Sequence, residues 1–244
     1  METLFTLLMP VIFVAMLVVE RVAPARDQPK PRRWLFKGIV FFVVTAGVAT
    51  IPSVLLAPVF QPYAPLHLSE LNVFLAGTIA FLVGDLMGYG IHRLQHNWGW
   101  AWRWTHQMHH SAERIDVAGS AFTHPFEPLF YAVVVTITSA LLGLSPEAAA
   151  FAGVLNAITA TFAHANIRTP RWVGYVIQRP EAHSIHHTRG VHAYNYGAVV
   201  WWDVAFGTYR NPKDFDAGPS GFWNGASTKL WTMLAGRDVA EPTR

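Results

Sequence analysis

The sequence predicts an all-α protein, a polytopic membrane bundle of about four to five spanning helices with a helical cap on the cytoplasmic side. Of its 244 residues, 52% are hydrophobic and 14% are charged, which is more apolar than is usual for a soluble domain. Apolar stretches near the length needed to cross a bilayer recur along the chain. Most of the early Lys and Arg residues gather in one short connection, a distribution typical of membrane topology.

Two apolar stretches near the N-terminus predict anchor helices at residues 4–19 and 39–60. The residues before the first stretch include Glu2 but no Lys or Arg, so we expect a retained anchor rather than a cleaved signal peptide. The positive-inside rule places the connection between the two helices in the cytoplasm. This basic connection carries Arg21, Arg26, Lys30, Arg32, Arg33 and Lys37.

Three further apolar stretches complete the predicted bundle. Residues 71–91 predict a third span, and the preceding linker, 61–70, has no Lys or Arg, which suits the outer side. Residues 129–144 and 148–163 predict a tight helical hairpin, interrupted at residues 145–146. Counting from the basic connection, the third helix and the hairpin both end on the cytoplasmic side.

The chain is predicted to form one domain, because no internal repeat, low-complexity tract or long flexible linker divides it. Its predicted parts are N-terminal anchor helices at 1–69, a histidine-rich core at 70–210 and a C-terminal cytoplasmic tail at 211–244. The absence of Cys excludes disulfides, Cys-based zinc sites, iron–sulfur clusters and thiol nucleophiles. The basic residues do not follow an aromatic-studded face, so nucleic acid is not an expected partner.

Histidines form three clusters beside the predicted spans. The first pairs two histidines four residues apart, which places both imidazoles on one helical face. The second and third each have the spacing His-x-x-His-His, and one more histidine ends the last predicted span. In chain order, the nine residues are His92, His96, His106, His109, His110, His164, His183, His186 and His187.

This constellation predicts a dinuclear metal site. Neutral imidazole is a good ligand for iron, zinc or copper. A tetrahedral zinc site needs only four ligands, or three and a water, whereas nine imidazoles can supply two ions with four or five each. His124 and His192 are candidates for a supporting role around the ligands. His67, in the predicted outer loop, is expected to be structural.

The ordered boxes resemble those of the fatty acid hydroxylase/sterol desaturase superfamily of integral membrane non-haem diiron enzymes. Asp85 lies seven residues before the first box, like the acidic lead of that family. The sequence T-H-P-F-E at 123–127 is similar to the family's H-P-x-E stretch. N-Y-G at 195–197 and W-D-V-A-F-G-T-Y at 202–209 resemble its ending. The resemblance covers about residues 70–210.

The resemblance implies that two iron ions are held by the same nine histidines, with O2 as co-substrate. It implies hydroxylation or desaturation of an unactivated C–H bond of a lipid, such as a fatty acyl chain, a sterol or a hopanoid. The family often has a further histidine before the third box, where only His164 is available here, so one position is left to water, His124 or His192. A bacterial inner (cell) membrane is the expected location.

The electron source is expected to lie outside this chain. The sequence has no flavin, haem or iron–sulfur motif and lacks the fused cytochrome b5 domain of some family members. We therefore expect a ferredoxin, or a cytochrome b5-like carrier with its reductase, to deliver electrons. Carboxylates such as Asp85, Asp203 and Glu181 are expected to orient imidazole Nδ1–H groups.

Two other interpretations of the histidines stay open at this stage. A zinc-dependent membrane hydrolase of a lipid amide or ester would use a metal-bound water, but it needs fewer histidines than the chain offers. A metal carrier or sensor would place ionisable ligands across the membrane midplane, whereas these histidines gather at one side.

Overall fold

The computed structural model describes residues 1–215 and 218–241. The secondary-structure elements formed by these residues are all helices. We label the helices α1 (Glu2–Val22), α2 (Trp34–Phe60), α3 (Val73–Asn97), α4 (Phe126–Leu141), α5 (Pro146–His164), α6 (Pro180–His186), α7 (Val200–Ala205) and α8 (Leu230–Leu234). Shorter helical segments are Gln61–Tyr63, Leu68–Glu70, Gly99–Ala101, Trp102–His106, Gln107–His110, Val117–Ser120, Arg171–Tyr175 and Ala226–Thr228. Within the described ranges, pairing between extended residues is limited to two isolated bridges. The all-α prediction is confirmed.

Three helices, α1, α2 and α3, are long and apolar enough to cross a membrane. They contain nearly all of the residues predicted as the first three spans. The predicted hairpin corresponds to α4, a shorter apolar helix of 16 residues, and α5, of 19 residues. The full count of four to five spans stays a prediction.

The long helices pack closely through small residues. Helix α5 packs against both α1 and α3, and α4 packs against both α3 and α2. Ala76, Ala80 and Ala148 form a buried cluster where α3 meets α5. At Gly77, an added Cβ would lie 2.7 Å from the main-chain oxygen of Ala148. The small residues therefore allow the two backbones to approach, as in other membrane helix pairs.

A capped turn joins α4 to α5. Ser145 precedes α5, and its hydroxyl accepts a hydrogen bond from the main-chain N–H of Ala148 at 3.2 Å. Pro146 occupies the first helical position, where a missing N–H costs nothing. The 61–70 connection packs on this turn through the N–H of Ser69, which donates to the carbonyl of Gly143 at 2.8 Å. Both connections therefore lie at one end of the bundle.

The basic connection lies at the opposite end of the bundle, together with the C-terminal ends of α3 and α5. We call this end of the bundle the histidine side. The main-chain N–H of Ala25 donates to the carbonyl of Asn166, just after α5. The buried carboxylate of Glu20 accepts the N–H groups of Val117 and Asn166. The basic connection and the histidine-rich segments thus share one side, as the topology predicted, while its cytoplasmic assignment stays a prediction.

Most of the predicted C-terminal tail packs against the histidine-rich segments. The carboxylate of Glu113 accepts the hydroxyl of Ser227 at 2.6 Å, and Met233 and Val239 are buried in the core beside the second histidine cluster. Residues 216–217 and 242–244 of the tail lie outside the described residues. The division into 1–69, 70–210 and 211–244 stays a prediction.

Candidate metal centre

The nine predicted ligands meet in two neighbouring groups on the histidine side. In each group, one ligand atom from every residue lies within 4.8 Å of the corresponding atoms of the others. The larger group contains His92, His96, His106, His110 and His186. The smaller group contains His109, His164, His183 and His187.

Each His-x-x-His-His box contributes to both groups. In the second box, His106 and His110 are four residues apart and join the larger group, whereas His109 joins the smaller one. In the third box, the pair His183 and His187 joins the smaller group, whereas His186 joins the larger one. Helical geometry explains the division, because residues four apart share a face and the middle residue lies on the adjoining flank.

The nitrogen spacings suit bound metal ions. The Nε2 atoms of His106 and His110 are 3.0 Å apart in the larger group. In the smaller group, Nε2 of His164 lies 3.0 Å from that of His109 and 3.0 Å from that of His183. Two nitrogens at right angles around one ion, each about 2.1 Å from it, would be about 3.0 Å apart. The spacings therefore fit adjacent ligand positions.

Three further imidazole nitrogens support the same conclusion. Among the described residues, none pairs with the buried Nε2 atoms of His92, His96 and His186. All three belong to the larger group. A buried polar atom without a partner is costly unless something satisfies it, and neutral imidazole is a common metal ligand. The donor set therefore fits two metal ions.

Burial also favours the protonation state that binds metal. It lowers the pKa of six histidines that lie outside α3 and α5 well below the usual 6.5, and the neighbouring histidines lower it further, since like charges would repel. These rings are therefore neutral near pH 7 and offer a lone pair to a metal. The six residues are His106, His109, His110, His183, His186 and His187.

Main-chain carbonyls fix the orientation of several ligands. Nδ1 of His92 donates to the carbonyl of Tyr196 at 2.8 Å, and Nδ1 of His186 donates to the carbonyl of Tyr194 at 2.7 Å. A carbonyl can only accept, so each ring carries its proton on Nδ1 and leaves the Nε2 lone pair for a metal.

In the ranges that the structure describes, the carboxylate that hydrogen-bonds a predicted ligand is that of Glu127, at the start of α4. Its Oε1 accepts a hydrogen bond from Nδ1 of His106 at 2.7 Å. Glu127 was not among the predicted supporting residues, although it stands in the T-H-P-F-E sequence that resembles the family's H-P-x-E stretch. That motif was the available signal.

Asp85 and Asp203 support the site through the main chain rather than through an imidazole. Both oxygens of Asp85 accept main-chain N–H groups, from Ala198 and Val199, at 2.8 Å each. Asp203 accepts the N–H of Tyr196 at 2.9 Å. It therefore helps to position Tyr196, whose carbonyl accepts the hydrogen bond from His92. The expected hydrogen bonds from imidazole Nδ1–H groups to these carboxylates are not formed among the described residues.

Within the described part of the chain, Glu181 forms no hydrogen bond with an imidazole either. Its two oxygens accept the main-chain N–H and the hydroxyl of Thr169, each at 2.7 Å. It also pairs with the buried guanidinium of Arg179 at 3.1 Å. Glu181 therefore holds the start of α6 against the segment that follows α5.

The three remaining histidines occupy different environments. His192 lies against the larger group, with its Nδ1 2.9 Å from Nδ1 of His110, and burial lowers its pKa to about 4. His124 accepts the main-chain N–H of Phe126 at 3.2 Å and joins neither histidine group. His67 precedes the short helix at the opposite end of the bundle.

A cavity of about 350 Å³ connects the histidine groups with the interior of the helical bundle. His106, His109 and His183 line it on the histidine side. Helices α3, α4 and α5 form its walls, and along α5 it extends from His164 back to Ala149. Fifteen residues of α-helix rise about 22 Å, so the lining residues of this cavity on α5 span about that distance.

These features define a helical membrane protein of the histidine-box type, with a metal-binding site at the end of an apolar cavity. The profile of the fatty acid hydroxylase family matches residues 77–208, more than half of the sequence. The chain belongs to the fatty acid hydroxylase family, which confirms the resemblance inferred from the boxes.

Curated relatives match a shorter region. Cholesterol 25-hydroxylase-like proteins from Caenorhabditis elegans and Caenorhabditis briggsae are each 30% identical over 79 residues. Each match covers 32% of this chain and 24% of the relative, so the chain spans about a quarter of the length of these relatives. No solved structure matches the chain.

Proposed function

We propose that this protein oxidises an unactivated C–H bond of a lipid with O2, at two iron ions held by the nine histidines. The observation that carries the proposal is the pair of histidine groups, five and four residues, at the end of a cavity that enters the helical bundle. Membership of the fatty acid hydroxylase family supports oxidation of a lipid. The names of the cholesterol 25-hydroxylase-like relatives favour hydroxylation over desaturation.

The residues of the chain have distinct tasks in this reaction. Iron supplies oxidising chemistry that side chains lack, because an unactivated C–H bond resists acids, bases and nucleophiles. The imidazoles hold the ions, while Glu127 and the carbonyl of Tyr196 orient His106 and His92. Burial of the two groups keeps bulk water from the reacting carbon.

The cavity determines how a substrate is presented. Its walls include Ala80, Phe81, Val135 and Ala152, which suit a hydrocarbon chain. Because it runs along α5 towards His164, a lipid would lie lengthwise in the bundle with one carbon beside the histidines. The position of the polar group at the other end would then select which carbon is oxidised.

Electrons would reach the site from the histidine side, which we assign to the cytoplasm from the basic connection. The donor is a ferredoxin, or a cytochrome b5-like carrier with its reductase. A bacterial inner (cell) membrane suits this arrangement, because the donor is soluble and the substrate arrives through the bilayer.

The test combines metal analysis with isotope labelling. Protein purified into lipid nanodiscs without added zinc should contain two irons, visible by Mössbauer spectroscopy. With an electron donor, host lipid extract and ¹⁸O2, a product that gains one labelled oxygen identifies a hydroxylase, and loss of two hydrogens identifies a desaturase. Stoichiometric zinc with turnover that ignores O2 would instead indicate a hydrolase and contradict the proposal.

Matched histidine variants test the site itself. His186→Ala removes a ligand of the larger group and should abolish turnover and lower the iron content. His67→Ala makes the same chemical change at the opposite end of the bundle and should leave both unchanged. Equal behaviour of the two variants would contradict the assigned site.

A further inference from the structure

An exposed apolar surface lies outside the three candidate spans, on two stretches that adjoin each other. Its members are large apolar side chains that are each at least 50% exposed. We define this apolar patch as Trp172, Tyr175, Val176, Trp201, Val204 and Phe206. The main-chain N–H of Gln178 donates to the carbonyl of Ala198 at 2.8 Å, which holds the stretches side by side.

Hydrogen bonds to α3 fix the depth of this patch relative to the membrane. Asp85 is the thirteenth of the 25 residues of α3, and it binds the N–H groups of Ala198 and Val199 directly. A helix of this length is about 37 Å long, whereas the hydrocarbon layer is about 30 Å thick. When α3 spans the whole hydrocarbon layer, Asp85 at its midpoint lies at least about 11 Å from both surfaces of that layer.

The aromatic side chains agree with that depth. Phe206 of the apolar patch stacks on Tyr89 of α3, one turn after Asp85, with ring centroids 5.1 Å apart. Trp201 and Val204, from α7, remain exposed beside this contact. The patch is therefore continuous with the lipid-facing surface of α3, where Leu86 is also exposed.

The main-chain N–H groups beneath the patch are hydrogen-bonded within the protein, as an environment without water requires. Five consecutive N–H groups, from Asn195 to Val199, all donate to protein acceptors. Their acceptors are the carbonyl of Thr208 and the carboxylates of Asp203 and Asp85. Irregular backbone is tolerated at membrane depth only where its polar groups are satisfied by protein.

Exposed arginines border the apolar patch. Arg93 follows Tyr89 by one turn, Arg171 precedes Trp172, and Arg210 follows the α7 segment. Cations next to an inserted apolar surface complement anionic phospholipid headgroups.

We propose that the apolar patch inserts into the leaflet on the histidine side, with Arg93, Arg171 and Arg210 bound to anionic phospholipid headgroups. The inserted stretch also walls the cavity, because Tyr196, Gly197 and Ala198 line it. A lipid in this leaflet therefore meets the α7 segment on its way to the histidines. The occupant of the patch is the bilayer itself rather than a second protein.

Single-cysteine labelling tests the insertion, since the chain has no native Cys. Trp201→Cys and Val204→Cys probe the patch, Val43→Cys on α2 is the lipid-facing control, and Lys229→Cys is the water-facing control. In nanodiscs, a membrane-impermeant maleimide should label both patch sites about tenfold more slowly than Lys229→Cys, because a thiol in apolar surroundings is less ionised. Labelling as fast as Lys229→Cys would overturn the proposal and leave the patch to a soluble partner.

Two further measurements complete the test. Lipids with brominated chains should quench the tryptophan emission of the wild type more than that of Trp201→Phe, and equal quenching would count against insertion. In nanodiscs containing phosphatidylglycerol, the double variant Arg171→Gln, Arg210→Gln should expose Val204→Cys to faster labelling, whereas Arg237→Gln should not. Neither measurement needs iron or turnover, so the result is independent of the proposed reaction.

Discussion

At the scale of single residues, the two ring nitrogens of His92 and of His106 have different environments. Nδ1 of His106 donates to Glu127 and Nδ1 of His92 donates to the carbonyl of Tyr196, so the Nε2 lone pair of each ring is left for a metal. Such supporting partners usually matter almost as much as the ligands, because they set ring orientation and basicity.

Replacing Glu127 by Gln should weaken the site without removing a ligand. The amide oxygen can still accept the proton of His106, but the neutral group makes the imidazole a weaker base. We expect iron affinity or turnover to fall about 10–100-fold, measured as iron per protein and product per iron. Glu147→Gln, at the opposite end of α5, should change neither, and an equal loss in both variants would contradict this role.

Replacing Asp85 by Asn should loosen the connection between α3 and the segment after the third box. Two main-chain N–H groups bind this carboxylate, and the amide can satisfy only one of them. We expect a loss of about 1–3 kcal/mol in stability, seen as a lower melting temperature, together with lower turnover. The exposed Asp27 provides the control, as Asp27→Asn. A wild-type melting temperature for Asp85→Asn would remove it from this role.

At the scale of elements, the site depends on how closely α3 and α5 approach. The helices carry His92, His96 and His164 into the two groups, and Gly77 lies against the backbone of α5 far from these ligands. The packing of α3 against α5 therefore helps to set the positions of these histidines.

Gly77→Ala should separate α3 from α5. Its new Cβ would meet the main-chain oxygen of Ala148 at 2.7 Å, and that atom cannot move without shifting α5. We expect a cost of about 1–3 kcal/mol, or about 2–4 °C in melting temperature per kcal/mol. Gly90→Ala on the same helix has no neighbour within 4 Å and should not lower stability. A Gly77→Ala protein as stable as Gly90→Ala would disprove the close packing.

The sequence was a good guide to features set by local periodicity. Apolar length predicted α1, α2 and α3, and helical spacing placed the outer pair of each box on one face and its middle histidine on the next. Which histidines of the different boxes meet in the same group depends on how separate segments cross, and spacing within a box does not encode that. For the same reason, sequence analysis assigned Asp85 to an imidazole, although its partners lie 113 and 114 residues away in the main chain.

At the scale of the whole molecule, metal should act as a cross-link. The histidines of the two groups come from α3, the 102–110 segment, α5 and the α6 region, so bound ions would join elements far apart in the sequence. Metal that binds only the folded protein stabilises it by mass action.

Removal of metal should therefore lower the melting temperature. At free metal about 100-fold above the dissociation constant, one ion contributes about 2.7 kcal/mol. We expect chelation to lower the melting temperature of nanodisc protein, and added iron to restore it. His186→Ala should show a smaller difference between loaded and chelated states. An unchanged melting temperature after chelation would contradict the stabilisation of the fold by bound metal.

Each of the last two boxes contributes histidines to both groups, and this sharing should affect how metal ions load. An ion bound by His183 and His187 steadies the helix that carries His186, and one bound by His106 and His110 steadies the segment that carries His109. Each occupied site therefore prepares the other, so loading should be cooperative. During titration with ferrous iron, half-loaded protein should stay scarce, and the apoprotein should convert almost directly to the two-iron form.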